Sequence, residues 1–218
     1  MQNKIFLIGG GEIKKGETKS VDIAIKKFAL QKDRANFIFF PTAAKDSIDY
    51  INSMRKIFEN DFNFRAVVEL EGKEAAEVAI MESSVIYFGG GKTEYLLSLF
   101  DRWQLLPVLK RAIKKGIVIV GISAGVQALA AWYTDIEDNR AIWKKGWGII
   151  DLGCLVHSQE KTAEVAFNAF KNLRLESKTQ FVAIGEKGSW VELSESGKLY
   201  GFGDMWVSKE GRIQKYRN

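Results

Sequence analysis

The sequence predicts an α/β fold with a mostly parallel sheet, helices on both faces of that sheet, and antiparallel β-hairpins at its C-terminal end. Short runs of β-branched and aromatic residues alternate with longer segments of helical periodicity, a pattern typical of parallel sheets covered on both faces. After residue 185 the pattern changes to short alternating segments separated by turns, which indicates hairpins. With 218 residues, 46% of them hydrophobic, the chain is long enough for one sizeable core. We therefore expect a single domain over residues 1–218.

Each element follows from its local pattern. Runs of mostly Val, Ile, Leu and Phe that are too short for helices predict sheet strands at residues 4–8, 36–40, 65–69, 85–88, 117–120, 152–156 and 181–184. Apolar residues at helical spacing between these runs predict helices at 19–31, 48–60, 73–80, 93–99, 107–115 and 161–172. Pro107 suits the first turn of its helix, where no N–H is needed. The polar stretch 133–148 is predicted to be irregular, and such segments are often functional.

Composition argues against several classes of function. The net charge of +5 comes from 32 basic and 27 acidic residues, and the basic ones are scattered in pairs rather than forming a stripe, so we expect no nucleic-acid partner. One cysteine and one histidine provide no internal disulfide and too few ligands for a zinc site. The apolar run near the N-terminus is too short for a signal peptide or a membrane span, so we expect a cytoplasmic protein with no membrane partner. The sequence does not decide whether the protein forms a homodimer, because its six tryptophans suit either a core or an interface.

The segment Gly121-Ile122-Ser123-Ala124-Gly125 lies between a predicted strand and a helical pattern. A strand, a G-x-S-x-G turn and a helix form a nucleophile elbow, in which glycines relieve the crowding around a strained serine. The turn would place Ser123 at the carboxyl end of a central strand, where open α/β sheets bind their ligands. Ser123 is therefore a candidate nucleophile, and a helix N-cap is the alternative.

His157 ends a predicted strand and is the one histidine of the chain. A serine nucleophile needs a base near neutral pH, and this imidazole can serve if it reaches the same edge of the sheet. An acid must then orient the imidazole. Asp135, Glu137 and Asp138 all lie in the irregular stretch between the serine and the histidine, and each is a candidate.

Two glycine-rich turns indicate a function less strongly than the serine turn does. The segment GGGKTEYLL is not a phosphate-binding P-loop, because Ile86 stands where that motif needs its first glycine. Its backbone N–H groups at Gly90 or Gly91 are candidates for an oxyanion hole together with that of Ala124. The segment LIGGGE is not a dinucleotide-binding motif, because Lys14 stands where the last glycine would be. We expect no cofactor.

The chain resembles the dipeptidase E and cyanophycinase group of serine peptidases. The resemblance covers essentially the whole sequence, through the segments LIGGGE, FFPTA, GGGKTEYLL, GISAG, GWGIIDLGCLVHS and AIGEKGSWVEL. It implies a flavodoxin-like sheet, a serine peptidase mechanism, and a triad of Ser123, His157 and Asp138, since the family's acid lies in an irregular segment after the serine. Two positions depart from the family pattern: Lys92 replaces an asparagine in the glycine turn, and Val156 replaces a proline before the histidine.

The resemblance also implies a small acidic peptide as substrate, with Asp-X dipeptides as the expected case. Recognition of a substrate carboxylate requires a cation, and Lys92 is the candidate beside the glycine turn, unless it is a solvated lysine in the first turn of a helix. Glu186 is the candidate for binding the substrate α-ammonium, unless it caps the turn that follows it.

Two other hypotheses remain. Cys154 as the nucleophile is disfavoured, because residues three apart on a strand point to opposite faces and Cys154 then faces away from His157. A non-catalytic domain that binds a small molecule or a partner is the second alternative, and Lys92 in the glycine turn is the sequence feature that suggests it.

Overall fold

The computed structural model describes residues 4–30, 36–173, 179–194 and 197–216. These residues form seven α-helices: α1 Lys19–Ala29, α2 Ile48–Phe58, α3 Lys73–Glu82, α4 Thr93–Arg102, α5 Leu106–Lys114, α6 Ala124–Leu129 and α7 Glu160–Lys171. The strands before α6 are β1 Lys4–Ile8, β2 Asn36–Phe40, β3 Asn63–Ala66, β4 Val85–Phe88 and β5 Val118–Ile122. Those after it are β6 Ala130–Thr134, β7 Ile136–Glu137, β8 Arg140–Ala141, β9 Lys144–Lys145, β10 Ile150–Ser158, β11 Gln180–Gly185, β12 Trp190–Leu193, β13 Leu199–Phe202, β14 Met205–Lys209 and β15 Arg212–Lys215.

The larger sheet is built on five parallel strands. Its described strands run in the order β13-β12-β1-β5-β4-β2-β3, and the neighbours from β1 to β3 pair in parallel. The hairpin of β12 and β13 pairs antiparallel at the β1 edge. Strands β4 and β5 are buried along their whole length, as continuous runs of Val, Ile, Tyr and Phe require in the centre of a sheet covered on both faces. The predicted α/β class, its parallel core and its C-terminal hairpins are confirmed.

A second sheet follows α6, where the sequence predicts one sheet throughout. Its described strands run in the order β15-β14-β11-β10-β6-β9, with β6, β10 and β11 parallel and the others antiparallel. All six residues of α6 are buried, so this short helix of small apolar residues passes between the sheets and leads into β6. Strand β6 begins inside the segment that the sequence predicts as helix followed by irregular chain, and β7 to β9 also lie in that stretch. The predicted helix end at residue 31 lies outside the described residues.

Alternating side chains of the larger sheet fill two hydrophobic layers. Phe6 and Ile8 of β1 lie in one layer with Phe37 and Phe39 of β2 and with α1 and α2, whereas Leu7 faces the opposite layer with α3, α4 and α5. That second layer continues through α6 to Cys154 and Ile184 of the smaller sheet, so the two sheets share one core. Helix α7 covers the outer face of the smaller sheet, where Leu155 and Phe181 are buried.

Neither a membrane-spanning helix nor a metal cluster occurs in the part of the chain that the structure describes. No described helix is both long and apolar enough to cross a bilayer. No group of three or more His, Cys, Asp or Glu residues is arranged to hold a metal ion among the described residues.

Candidate active site

Ser123 lies in the turn between β5 and α6, and its backbone is strained. Its φ of 50° and ψ of −111° are rarely adopted by residues with a side chain. The strand before it is fixed in the centre of the larger sheet, and the Ser123 N–H donates to the Ile8 carbonyl at 2.9 Å. The turn at Ser123 therefore has the strand, sharp turn and helix of a nucleophile elbow.

His157 lies near the carboxyl end of β10 and also has a left-handed backbone, with a φ of 53°. The pairing of β10 with β11 shifts register between Leu155 and Ser158, so the histidine lies in an irregular step of the strand. Its N–H donates to the Gly9 carbonyl at 3.2 Å, which joins the end of β10 to the end of β1. The ring projects over the end of the larger sheet, and its Nε2 lies 2.7 Å from Ser123 Oγ.

The carboxylate beside His157 belongs to Glu186, the first residue after β11. Glu186 Oε1 lies 2.5 Å from His157 Nδ1, and the two side chains are about half exposed. The turn that holds Glu186 is closed by the N–H and the hydroxyl of Ser189, which both donate to the Glu186 carbonyl. The sequence predicts a contact of Glu186 with a substrate ammonium, whereas in the structure its Oε1 contacts His157.

Asp138 does not lie beside His157, which corrects the assignment implied by the family resemblance. It lies in the turn between β7 and β8, with a φ of 48°. Strands β6 and β11 flank β10 on opposite sides, and the His157 ring meets the residue after β11. The segment after β6, which carries Asp138, extends from the other side of β10.

Asp135 and Glu137, the other two candidate acids, also have partners or positions away from the histidine. Asp135 accepts a hydrogen bond from Gln127 Nε2 at 2.6 Å, and Gln127 in turn bonds the Thr93 hydroxyl. Glu137 pairs with Arg140 across the small β7–β8 ladder. Asp135 thus joins β6 to α6 and α4.

Of the two candidate N–H groups in the glycine turn after β4, one has a hydrogen-bond acceptor and the other has none among the described residues. The Gly90 N–H donates to the Tyr50 hydroxyl oxygen at 3.1 Å. Burial raises the pKa of Tyr50 to about 12, so the phenol stays protonated at neutral pH. The N–H groups of Gly91 and Ala124 have no acceptor among the described residues. The Gly90 N–H is therefore a weaker candidate for the oxyanion hole than the Gly91 N–H.

Lys92 lies outside the cleft above Ser123. It precedes α4, is exposed, and holds its Nζ 5.9 Å from the centre of the Tyr95 ring. A cavity of about 460 Å³ opens over Ser123 and His157, and Gly90 lines it whereas Lys92 does not. The cations and acids that do line it are Glu12, Lys14 and Asp49.

With this geometry established, comparison with known proteins identifies the family. The model of peptidase family S51 matches residues 5–198. The chain belongs to peptidase family S51.

Two curated proteins resemble parts of this S51 chain. It is 33% identical over 127 residues to an uncharacterized peptidase, YgaJ, of Bacillus subtilis (strain 168), and the match covers 57% of this chain and 55% of that protein. It is 34% identical over 90 residues to a Drosophila melanogaster protein named probable alpha-aspartyl dipeptidase, with 40% of this chain and 36% of that protein covered. The chain thus spans little more than half of the first relative and about a third of the second.

The fold of this S51 chain is also that of a solved peptidase. The crystal structure of a peptidase from an acI-B1 Actinobacterium superposes with a TM-score of 0.71 at 17% identity, covering 99% of this chain and 94% of that one. At this level of identity the similarity establishes the fold.

Cys154 is excluded as a rival to Ser123 in this S51 chain by its environment. It is fully buried in β10, and burial raises the pKa of its thiol to about 12. A thiolate is the reactive form of cysteine, so this side chain is a buried apolar group.

The sequence did not predict the positions of three charged residues at or beside the cleft, although it made Glu186 a candidate for binding a substrate ammonium. Glu186 follows a predicted strand, but it lies 29 residues after His157, and nothing in the sequence indicates that the two side chains are in contact. Lys14 and Asp49 are ordinary charged residues near a turn and a helix start. Only the order of the strands in space brings them to the cleft.

Proposed function

We propose that the chain is a serine hydrolase of short peptides in which Ser123, His157 and Glu186 act as a triad. One observation carries this proposal: Ser123 Oγ, the His157 ring and the Glu186 carboxylate form a continuous series of contacts at 2.7 and 2.5 Å. This is the arrangement of nucleophile, base and orienting acid that activates a serine. Membership of a serine peptidase family supports the same conclusion.

The chemistry follows from the two nitrogens of His157. The Glu186 carboxylate favours the tautomer with its proton on Nδ1, which leaves Nε2 free to accept the proton of the Ser123 hydroxyl. Ser123 Oγ then forms a bond to the carbonyl carbon of the peptide. As the tetrahedral intermediate collapses, His157 gives the proton to the departing amine. In the second half, His157 takes a proton from water, the hydroxide displaces Ser123, and the serine regains its proton.

The oxyanion of each tetrahedral intermediate needs hydrogen-bond donors close to Ser123. The N–H of Ala124 is adjacent to the serine, and the N–H of Gly91 is adjacent to Gly90, which lines the same cleft. Both are without an acceptor among the described residues, so they remain available to a developing charge. We assign the oxyanion hole to these two groups.

The substrate that we propose is a short peptide with an N-terminal aspartate, an Asp-X dipeptide in the simplest case. A cavity of about 460 Å³ lies within the range of about 300–1,000 Å³ that is usual for small ligands. The name of the Drosophila relative, probable alpha-aspartyl dipeptidase, supports the same specificity. We expect little action on folded proteins, whose backbone does not enter such a cleft.

The first experiment combines labelling with matched variants. A fluorophosphonate should label the wild-type protein and fail to label Ser123→Ala. Glu186→Gln should lower kcat for Asp-Leu by about 10⁴-fold, because the amide no longer holds the imidazole in the required tautomer. Asp138→Asn is the matched control, and it should leave kcat unchanged.

The opposite pattern would overturn the assignment of the acid: loss of activity in Asp138→Asn and retention in Glu186→Gln. Failure of the fluorophosphonate to label well-folded wild-type protein would favour the non-catalytic binding domain. The sequence feature that suggested such a domain was Lys92, and this residue lies outside the cleft.

A further inference from the structure

The cleft above Ser123 contains two charged side chains that the proposed reaction does not use. Lys14 and Asp49 line the cavity, and both are exposed. Within the described ranges neither has an ion-pair partner. Glu12, the third charged residue at the cavity, differs, because its carboxylate is paired with Lys15 at 2.7 Å. The cleft therefore offers one unpaired cation and one unpaired anion.

These two charged residues lie on elements that follow different strands of the larger sheet. Lys14 lies in a short 3-10 turn, Ile13–Lys15, that follows β1, and Asp49 lies in the first turn of α2, which follows β2. In the sheet, β1 is the neighbour of β5 on one side, whereas β4 and then β2 lie on the other. The 3-10 turn and α2 contact each other, and both contribute residues to the cavity that Ser123 also lines.

We infer that Asp49 binds the α-ammonium of the substrate and Lys14 binds one of its carboxylates. The inference rests on the proposed function and names the groups that select the peptide. A dipeptide with an N-terminal aspartate carries one ammonium and two carboxylates, so a cleft with an unpaired anion and an unpaired cation beside the nucleophile matches it. An ammonium held at Asp49 places the first peptide bond over Ser123 and excludes bonds further along a chain.

The carboxylate at Lys14 has two possible sources with the same chemistry. One is the side chain of an N-terminal aspartate, and the other is the C-terminal carboxylate. Peptides that lack one or the other distinguish them: Asn-Leu lacks the side-chain carboxylate, and Asp-Leu amide lacks the C-terminal one.

Asp49 also has an ordinary structural role that the experiment must separate from recognition. An acid in the first turn of a helix stabilises that helix through the macrodipole, and Asp49 is in this position in α2. A structural role affects all peptides alike, because it does not depend on the charges of the ligand. A binding role affects only those peptides that carry the matching charge.

The test measures binding by calorimetry in the Ser123→Ala background, which holds the peptide without hydrolysis. Asp49→Asn should weaken the binding of Asp-Leu by about tenfold, as expected for the loss of one charge-assisted hydrogen bond, and leave the binding of acetyl-Asp-Leu unchanged. Lys14→Gln should weaken Asp-Leu by a similar factor and have no effect on Asn-Leu amide. Glu74→Gln, an exposed acid in the first turn of α3, is the matched control and should change neither.

Three outcomes would overturn the inference: an equal effect of Asp49→Asn on free and acetylated peptides, an effect of Lys14→Gln on Asn-Leu amide, or no binding of Asp-Leu to folded Ser123→Ala protein. These outcomes are separate from the failure of the proposed function. If Asp-Leu binds as expected and wild-type protein neither hydrolyses it nor reacts with a fluorophosphonate, the recognition stands and the hydrolase proposal fails. If the fluorophosphonate labels Ser123 and Asp-Leu does not bind, the reverse holds.

Discussion

Asp22 makes the stability of the protein depend on pH in a direction opposite to that of most carboxylates. It is 7% exposed, in the first turn of α1, and its Oδ2 accepts a hydrogen bond from the Thr18 hydroxyl at 2.9 Å. Burial raises its pKa from 3.8 to about 6, and this effect exceeds the opposing effects of the Thr18 hydrogen bond and of Lys26. A carboxyl group with a raised pKa is protonated more readily in the folded protein than in the unfolded chain.

The sign and size of the effect follow from proton linkage. Between about pH 4 and pH 6 the unfolded chain has released the Asp22 proton and the folded protein still holds it. Unfolding then releases a proton, so the free energy of unfolding falls as the pH rises through this window. A pKa of about 6 in place of 3.8 corresponds to about 3 kcal/mol, which is present below pH 4 and absent above pH 6.

Asp22→Asn removes this ionisation while its side-chain oxygen can still accept the Thr18 hydrogen bond. We expect the variant to match wild type near pH 4 and to be more stable by about 3 kcal/mol at pH 7. Urea denaturation at several values between pH 4 and pH 8 measures the difference, with Glu74→Gln as an exposed control whose difference from wild type should be flat. A difference between Asp22→Asn and wild type that is constant over this range, or that shrinks as the pH rises, would refute the reasoning.

Three further predictions concern the surroundings of the site. Gly91→Ala should lower the melting temperature by several degrees in differential scanning fluorimetry, since Gly91 has a φ of +137° and an added Cβ would lie 2.1 Å from the Ala43 carbonyl oxygen. Cys154 should resist iodoacetamide at pH 8 in the folded protein and react once the protein is unfolded in urea, as mass spectrometry can detect. Tyr50→Phe removes the acceptor of the Gly90 N–H and should lower kcat for Asp-Leu about tenfold through the displaced glycine turn, while Ser123 remains reactive toward a fluorophosphonate.

The sequence predicts the parallel core well because each central strand carries its own signal. Strands β4 and β5 are continuous apolar runs, and the observed limits of β4 equal the predicted ones. Strand β6 was missed because its residues follow α6 without a turn signal, and small apolar residues after a serine favour a helix. Its pairing with β10 is a long-range contact, and no local pattern shows which strands share a sheet.

The same limit explains the prediction of the site. Ser123 and His157 are recognisable from residue type and from their places at the ends of strands. The acid is not, because Asp138 and Glu186 both follow segments that could lie beside β10. Only the order β11-β10-β6, with the His157 ring directed to the β11 side, selects Glu186.

The glycines of the LIGGGE segment allow the two sheets to pack closely at the site. Ser123 belongs to the larger sheet, whereas His157 and Glu186 belong to the smaller one, so the site forms only if the two sheets approach closely at the end of β1. A Cβ on Gly9 would lie 2.2 Å from the Gly185 carbonyl oxygen, and one on Gly10 would lie 2.6 Å from both His157 Nδ1 and Glu186 Oε2. Backbone atoms cannot yield to the first contact, and the second would displace the histidine–carboxylate pair. The absence of side chains at these two positions therefore permits the 2.7 Å contact between Ser123 Oγ and His157 Nε2.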